Sequence, residues 1–256
     1  GAGTTTNMTS LTVGNNRRGQ LLLRQGRALD VGANNINIGA LPGSEGIVSV
    51  ESDAELSTSG ILAVGGQGTT AGGTGTLNIG SGGHVLVGTL KLFGDGEVNL
   101  DGGGLTILGA FDSSGGQFNW TSGVLYLQSL TSLPSYILGP DRTLRPGHDL
   151  RFASTVGLTE PIIIDGGELS AFTLNNQSTL EIRSGETTAS SSIQNNGLML
   201  LSSPLAVLRG TTLVQNLNTL RGTGTIDGNF SNASTGQVEV IAGDRLRMTG
   251  AANSNL

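Results

Sequence analysis

The side chains that could carry out chemistry in this chain are few, and some of them are acids near a glycine. Two carboxylates about 5–9.5 Å apart are what glycoside hydrolysis needs. The candidate acids are Asp95, Glu97, Asp101, Asp112, Asp165 and Glu168. Asp95 and Asp165 each directly precede a glycine. Because Asp-Gly is typical of a turn, turn chemistry explains these two acids better than catalysis does.

The densest polar stretch is "DRTLRPGHDLRF" at 141–152. An arginine that neutralises a uronic acid, beside a histidine that removes its proton, is the arrangement a polysaccharide lyase requires. The alternative is a solvated, proline-containing loop with local ion pairs. The second histidine of the chain, His84, follows two glycines at a predicted corner. We assign no catalytic, cofactor-binding or metal-binding residue. The polar residues of this stretch are Asp141, Arg142, Arg145, His148, Asp149 and Arg151.

A short motif of apolar residues around an asparagine repeats along the chain. It reads "TLNIGSGG" at 76–83, "EVNLDGGG" at 97–104 and "QFNWTSGV" at 117–124, so Asn78, Asn99 and Asn119 follow one another after 21 and 20 residues. We expect "INIG" at 36–39 and "AELSTSG" at 54–60 to be earlier copies. A fixed period of this kind is typical of a solenoid.

Within one period, short strand-like runs are separated by glycines. Leu77 and Ile79 lie on one side of a predicted strand, and Thr76 and Asn78 lie on the other. No amphipathic stretch with helix caps is present. The pattern therefore predicts an all-β solenoid of about 20–21 residues per coil and roughly 12 coils. We treat residues 1–256 as a single domain in which the type of coil and its residue composition (the coil texture) change near 130–160.

The repeated asparagines have two interpretations. With Leu77/Ile79, Val98/Leu100 and Phe118/Trp120 pointing inward, the asparagines point outward at equivalent places on successive coils. Stacked amides can then hydrogen-bond along the solenoid axis as a structural ladder. The alternative is a flat polar face that binds a glycan or a partner.

Composition excludes several classes of protein. Glycine accounts for 43 of 256 residues, charged residues for 12%, and there is no cysteine, so disulfides and thiolate metal sites are excluded. The net charge of −6 argues against nucleic-acid binding, which calls for a basic face. No apolar run reaches the length of about 20 residues that a membrane span requires. Because the chain begins with "GAGTTT", we expect a processed protein or a segment of a longer one.

Several motifs resemble a family of bacterial surface proteins. "LTVG" at 11–14, "LDVG" at 29–32, "LAVG" at 62–65 and "GTGTLNIGSGG" at 73–83 are similar to repeats in autotransporter passengers and in exported proteins with a PEP-CTERM sorting tail. "LRGTGTIDGNFSNASTGQVEV" at 220–240 resembles autotransporter-associated β-helix repeats. The resemblance implies a right-handed parallel β-helix, export and a place on the cell surface. No translocator domain or sorting tail follows these motifs, in keeping with a segment.

We therefore expect a non-enzymatic structural or adhesive segment of a secreted, extracellular bacterial surface protein. It would serve as a rigid rod, a spacer or the protomer of a filament. The expected partners are copies of the chain itself stacked end to end, other surface proteins, or a glycan or host surface, without nucleic acid or cofactor. The competing function is a polysaccharide-degrading or glycan-binding β-helix protein. A predicted inward position for Trp120 argues against an aromatic sugar platform.

Overall fold

The computed structural model describes residues 5–255, and this range is all β without a helix. Parallel strands stack as a β-solenoid of about 12 turns, which confirms the predicted fold class. No helical segment in residues 5–255 is long and apolar enough to cross a membrane. The chain divides into two compact units, Gly1–Ser129 and Leu130–Leu256, and each is described by itself.

The described part of the first unit consists of short strands joined by tight corners. They are β1 (Thr5–Asn7), β2 (Leu11–Val13), β3 (Arg18–Leu23), β4 (Ala28–Asp30), β5 (Ile36–Ile38), β6 (Glu45–Val50), β7 (Glu55–Val64), β8 (Gly66–Gln67), β9 (Thr70–Ala71), β10 (Thr74–Ile79), β11 (His84–Phe93), β12 (Gly96–Ile107), β13 (Phe111–Ser114) and β14 (Gln117–Leu127). The longer strands β7, β11, β12 and β14 bend around a corner and contribute to two faces each.

Each coil of the first unit has three sides, because its strands pair with the coils before and after it in three parallel stacks. Face 1a comprises β1, β4 and residues 55–58, 84–87, 104–107 and 124–127. Face 1b comprises β3, β6, β10 and residues 96–100 and 117–120. Face 1c comprises β2, β5, β13 and residues 62–64 and 90–93.

The length of a coil changes within the first unit. Paired residues are 25 apart at Thr12 and Asn37 and 29 apart at Ser49 and Asn78, but only 21 and then 20 apart along the asparagine series. The predicted period of 20–21 residues therefore holds for the first unit from about residue 75 onward, whereas paired residues in the second unit are 16 to 23 apart. The earlier coils contain longer corners.

The longer early coils make two sequence expectations wrong. Residues 36–39 and 54–60 were expected to repeat the motif around Asn78. Instead, Asn37 lies on face 1c between Thr12 and Ala63, and residues 55–58 lie on face 1a. Two steps of about 20 residues do not return to the same face when each coil needs 25 to 29.

The interior of each coil is filled by aliphatic residues stacked in columns. Val48, Leu77 and Val98 are paired in register on face 1b, and all three are fully buried. Burial of such a side chain stabilises a fold by about 1.5–3 kcal/mol. The inward columns therefore supply the main stabilisation of the stack, as the alternating pattern predicted.

Glycines occupy corners where successive coils approach too closely for a side chain. A Cβ on Gly88, between faces 1a and 1c, would lie 1.9 Å from the backbone oxygen of Ser59 in the previous coil. At the corner between faces 1b and 1a, Gly123 has φ of +104°, a conformation that favours glycine. The glycine-rich loop at 65–75 forms the antiparallel hairpin β8–β9.

The second unit repeats the same construction. Its described strands are β15 (Thr143–Leu144), β16 (His148–Phe152), β17 (Thr155–Leu158), β18 (Ile162–Ala171), β19 (Thr173–Asn176), β20 (Thr179–Ala189), β21 (Ser192–Asn195), β22 (Leu198–Gly210), β23 (Leu213–Asn216), β24 (Thr219–Asp227), β25 (Phe230–Asn232), β26 (Gln237–Glu239), β27 (Leu246–Met248) and β28 (Asn253–Asn255). Residues 130–142, within the region of predicted texture change, contain no strand.

The second unit also has three faces. Face 2a comprises β15, β26 and the first parts of β18, β20, β22 and β24. Face 2b comprises β16, β27 and the last parts of the same four strands. Face 2c is a separate parallel sheet of β17, β19, β21, β23, β25 and β28.

Substitution of a corner glycine tests the close approach between coils. Gly88→Ala should destabilise the first unit by at least about 2 kcal/mol, since the new Cβ meets backbone that cannot move aside. Gly94→Ala is the matched control, because a Cβ there has no neighbouring atom within 4 Å. The measurement is the urea midpoint of each variant. Equal midpoints for the two variants would contradict this account of the corners.

Candidate functional site

The predicted asparagine ladder is present on the outside of face 1b. Asn99 Nδ2 donates a hydrogen bond to Asn78 Oδ1 at 2.9 Å, and Asn119 Nδ2 donates to Asn99 Oδ1 at 2.9 Å. Asn78 Nδ2 extends the series to Ser49 Oγ at 3.3 Å. The amides are thus engaged with one another along the stack, and the structural interpretation of the repeated asparagines is confirmed.

A second asparagine ladder, which the sequence reasoning missed, lies inside the second unit. The inward-facing residues Asn176, Asn195 and Asn216 are at most 1% exposed. Asn176 Nδ2 donates to Asn195 Oδ1 at 2.8 Å, and Asn195 Nδ2 donates to Asn216 Oδ1 at 2.7 Å. Asn216 Nδ2 continues the series to Asn232 Oδ1 at 2.7 Å.

The buried ladder also satisfies the backbone at the corner between faces 2c and 2a. Asn176 Nδ2 donates to the carbonyl of Leu198 at 2.9 Å, and Asn195 Nδ2 donates to the carbonyl of Thr219 at 2.8 Å. A buried carbonyl without a partner costs about 1–3 kcal/mol. The asparagines therefore allow the chain to turn without leaving polar backbone unpaired. The available sequence signal was an asparagine ending each short strand, in "TLNN", "SIQN", "LVQN" and "FSN".

Most candidate acids of the first unit bind the adjacent coil. Glu97 Oε1 accepts a hydrogen bond from Asn119 Nδ2 at 2.8 Å, and Asp101 Oδ1 accepts one from Thr121 Oγ1 at 2.8 Å. Asp112 forms an ion pair with Lys91 Nζ at 3.3 Å. Asp95 lies in the turn before β12 and lines a groove of about 430 Å³ together with Glu45. Glu97, Asp101 and Asp112 thus have structural partners on the adjacent coil.

The candidate acids of the second unit lie at different places: Asp165 accepts a hydrogen bond from Ser184 Oγ at 3.2 Å, and Glu168 forms part of a charged column on face 2b. Asp149, Glu168 and Glu186 are paired in register on successive strands. Arg151 forms an ion pair with Asp149, and Arg209 Nη1 lies 3.0 Å from Glu186 Oε1. Arginines therefore offset the repulsion that like charges in register would produce.

The polar stretch at 141–152 does not assemble into one site. Arg145 pairs with Asp141, Arg151 pairs with Asp149, and Arg142 pairs with Glu160 at 2.7 Å. His148 is buried at the start of β16, where its Nδ1 accepts the backbone N–H of Arg145 at 3.3 Å. His84, by contrast, is exposed on face 1a beside Glu55. The two histidines thus lie in different units.

Two carboxyl groups of the second unit have lowered pKa values. A hydrogen bond from Arg183 holds the pKa of Glu181 below its ordinary value. Hydrogen bonds from Thr249 and then Arg209 lower the pKa of Asp227. The hydrogen bond to Asp149 raises the pKa of Arg151. Each shift favours the charged form and comes chiefly from local side-chain hydrogen bonds.

Residues 5–255 hold no group of three or more His, Cys, Asp or Glu side chains placed to bind a metal ion. A cavity of about 620 Å³ lies at the last described coil, lined by Phe230, Asn232, Ala233, Ser234, Gly236, Val238, Met248, Asn253 and Ser254. None of these lining residues is charged.

The fold and the ladders define the protein as a β-solenoid whose polar side chains mainly join one coil to the next. Comparison with protein-family models, curated proteins and solved structures found no match.

The two ladders should differ in their contribution to stability. Asn195→Ala removes the donor to Asn216 and Thr219 in a buried place, so the free energy of unfolding should fall by about 3 kcal/mol. Asn99→Ala is the control on the outside of face 1b, where water replaces the lost partners and the expected loss is about 1 kcal/mol or less. Urea unfolding measures both. Equal losses would show that burial of the inner ladder does not determine its contribution.

Proposed function

We propose that this chain is a non-enzymatic structural and adhesive segment of an exported bacterial cell-surface protein, in which stacked coils provide a stiff spacer. The observation that carries the proposal is the in-register pairing of coil upon coil, reinforced by amide ladders with hydrogen bonds of 2.7–2.9 Å. Such a stack is held by nearest-neighbour contacts and needs no disulfide. The resemblance of the repeats to bacterial surface proteins supports export.

The arrangement of charge favours a structural role over catalysis. The acids Glu97, Asp101 and Asp112 have partners on the adjacent coil, and the arginines of 141–152 are paired with acids. A catalytic acid or base instead needs access to the proton that it transfers. These contacts therefore support the spacer function.

Association with a further parallel coil belongs to the same proposal. In the last described coil Val238 is 36% exposed and Ile241 is 71% exposed. Val238 continues the inward column of Leu220 and Met199, both of which are buried. A coil of another copy or another solenoid can cover these side chains, as a filament protomer would require.

Mechanical unfolding tests the spacer. Pulled from its two ends, the chain should release one coil at a time, because each coil contacts only its neighbours. A coil of 20 residues should lengthen the chain by about 7 nm, and one of 27 residues by about 9 nm. Single-molecule force spectroscopy measures these increments, with Asn195→Ala as a variant that weakens one coil of the second unit. Rupture of a whole unit in one event, at low force, would overturn the proposal that the chain is a stiff spacer.

Accessibility on the cell tests export. An antibody against this chain should label intact cells of the organism that encodes it, and external protease should remove the label. An antibody against a cytoplasmic protein, which stains only lysed cells, is the control. Labelling of this chain only after lysis would overturn the surface location.

A further inference from the structure

Face 2c differs from the other two faces of the second unit because it carries no charge. None of its six strands contains Asp, Glu, Lys or Arg. Faces 2a and 2b carry ion pairs such as Arg183 with Glu181 and Arg209 with Asp227. In a chain with 32 charged residues among 256, an uncharged sheet of six strands is a distinct surface.

One outward column of face 2c consists of amides, hydroxyls and a glycine. Asn175, Gln194 and Gln215 are paired in register on successive strands, and all three are half-buried. The complete column is Gly157, Asn175, Gln194, Gln215, Ser231 and Ser254. At the interstrand spacing of about 4.8 Å it extends over about 24 Å.

The glutamine amides of this column can hydrogen-bond to a ligand, whereas the asparagine amides of face 1b already bind one another. On face 1b each asparagine donates to the next one along the stack. On face 2c, Asn175 Oδ1 accepts Asn196 Nδ2 at 2.8 Å, but the amides of Gln194 and Gln215 form no hydrogen bond within residues 5–255. Each of these glutamines offers both a donor and an acceptor to a ligand.

An exposed aromatic ring borders the same face. Phe172 directly precedes β19 and is 53% exposed. Its backbone pairs with that of Ser154 on one side and Ser191 on the other, so the equivalent positions on the adjacent coils are serines. Covering a large, water-exposed ring with an apolar surface lowers the free energy of the system. The C–H face of a sugar ring is such a surface, and its hydroxyls suit the neighbouring amides.

We propose that face 2c binds an uncharged polysaccharide, with Gln194 and Gln215 hydrogen-bonding its hydroxyls and Phe172 stacking on a sugar ring. This inference rests on the proposed adhesive function and names the ligand class for it. An acidic polysaccharide or a nucleic acid calls for cations, and face 2c has none. The extended column of equivalent groups matches a polymer of repeating uncharged units.

Native electrophoresis in gels containing a polysaccharide tests the inference on the purified chain. The probes are hydroxyethyl cellulose, galactomannan, xylan and a β-1,3-glucan, with polygalacturonate as the charged probe. At least one uncharged probe should retard the chain, and polygalacturonate should not. Gln194→Glu and Gln215→Glu keep the shape of the side chain but add a charge, and each should weaken binding at least tenfold. Phe172→Ala should do the same.

Gln237→Glu is the matched control. Gln237 is exposed on face 2a, so this substitution should leave retardation unchanged. Gln194 and Gln215 point away from the core, so their variants test binding even where Phe172→Ala alters folding.

Three outcomes would overturn the inference: no retardation by any uncharged probe, equal binding of polygalacturonate, or unchanged binding in the Gln194 and Gln215 variants. If those variants instead abolish association between copies, seen by light scattering without retardation, face 2c is a self-association surface. The gel assay uses purified protein and no cells. A negative result in it would therefore not contradict the surface-labelling and force results, and negative results in those two experiments would not contradict retardation.

Discussion

The whole structure depends on parallel, in-register pairing between successive coils. Because this pairing places each side chain about 4.8 Å from its equivalent on the next coil, every outward or inward position becomes part of a column of side chains that contact one another. Aliphatic columns such as Val48, Leu77 and Val98 bury one another. Amide columns pair donor with acceptor, as Asn78 and Asn99 do. Columns of like charge repel, so arginines accompany the acids of face 2b.

The same constraint explains why the chain's polar groups contribute mainly to architecture. An acid on one coil lies within reach of the coil before and after it, and the described contacts of Glu97 and Asp101 are of this kind. A ligand competes poorly for groups that are already paired. The amides of Gln194 and Gln215 on face 2c are the contrasting case, since they stand in register without pairing to each other.

Prediction from sequence succeeded where the local pattern repeats and failed where the coil length varies. Alternation around Asn78 and the step of about 20 residues were enough to predict strand, solenoid and outer ladder. Asn37 was misplaced because the early coils need 25 to 29 residues, and the extra residues are in corners that carry no periodic signal. Phe118 and Trp120, predicted inward, are half-buried, with their ring centroids 6.5 Å apart.

By itself, the sequence determined the class of fold, because an apolar alternation with regular glycines allows few structures other than stacked coils. It also determined that Asn78, Asn99 and Asn119 share one column, since a uniform step returns each to the same side. Only the tertiary structure decided which asparagines are buried, because Asn195 and Asn196 are neighbours with the same local pattern but point to opposite sides of the corner. It alone decided that face 2c is uncharged, because its six strands are separated in sequence and meet only when the coils stack.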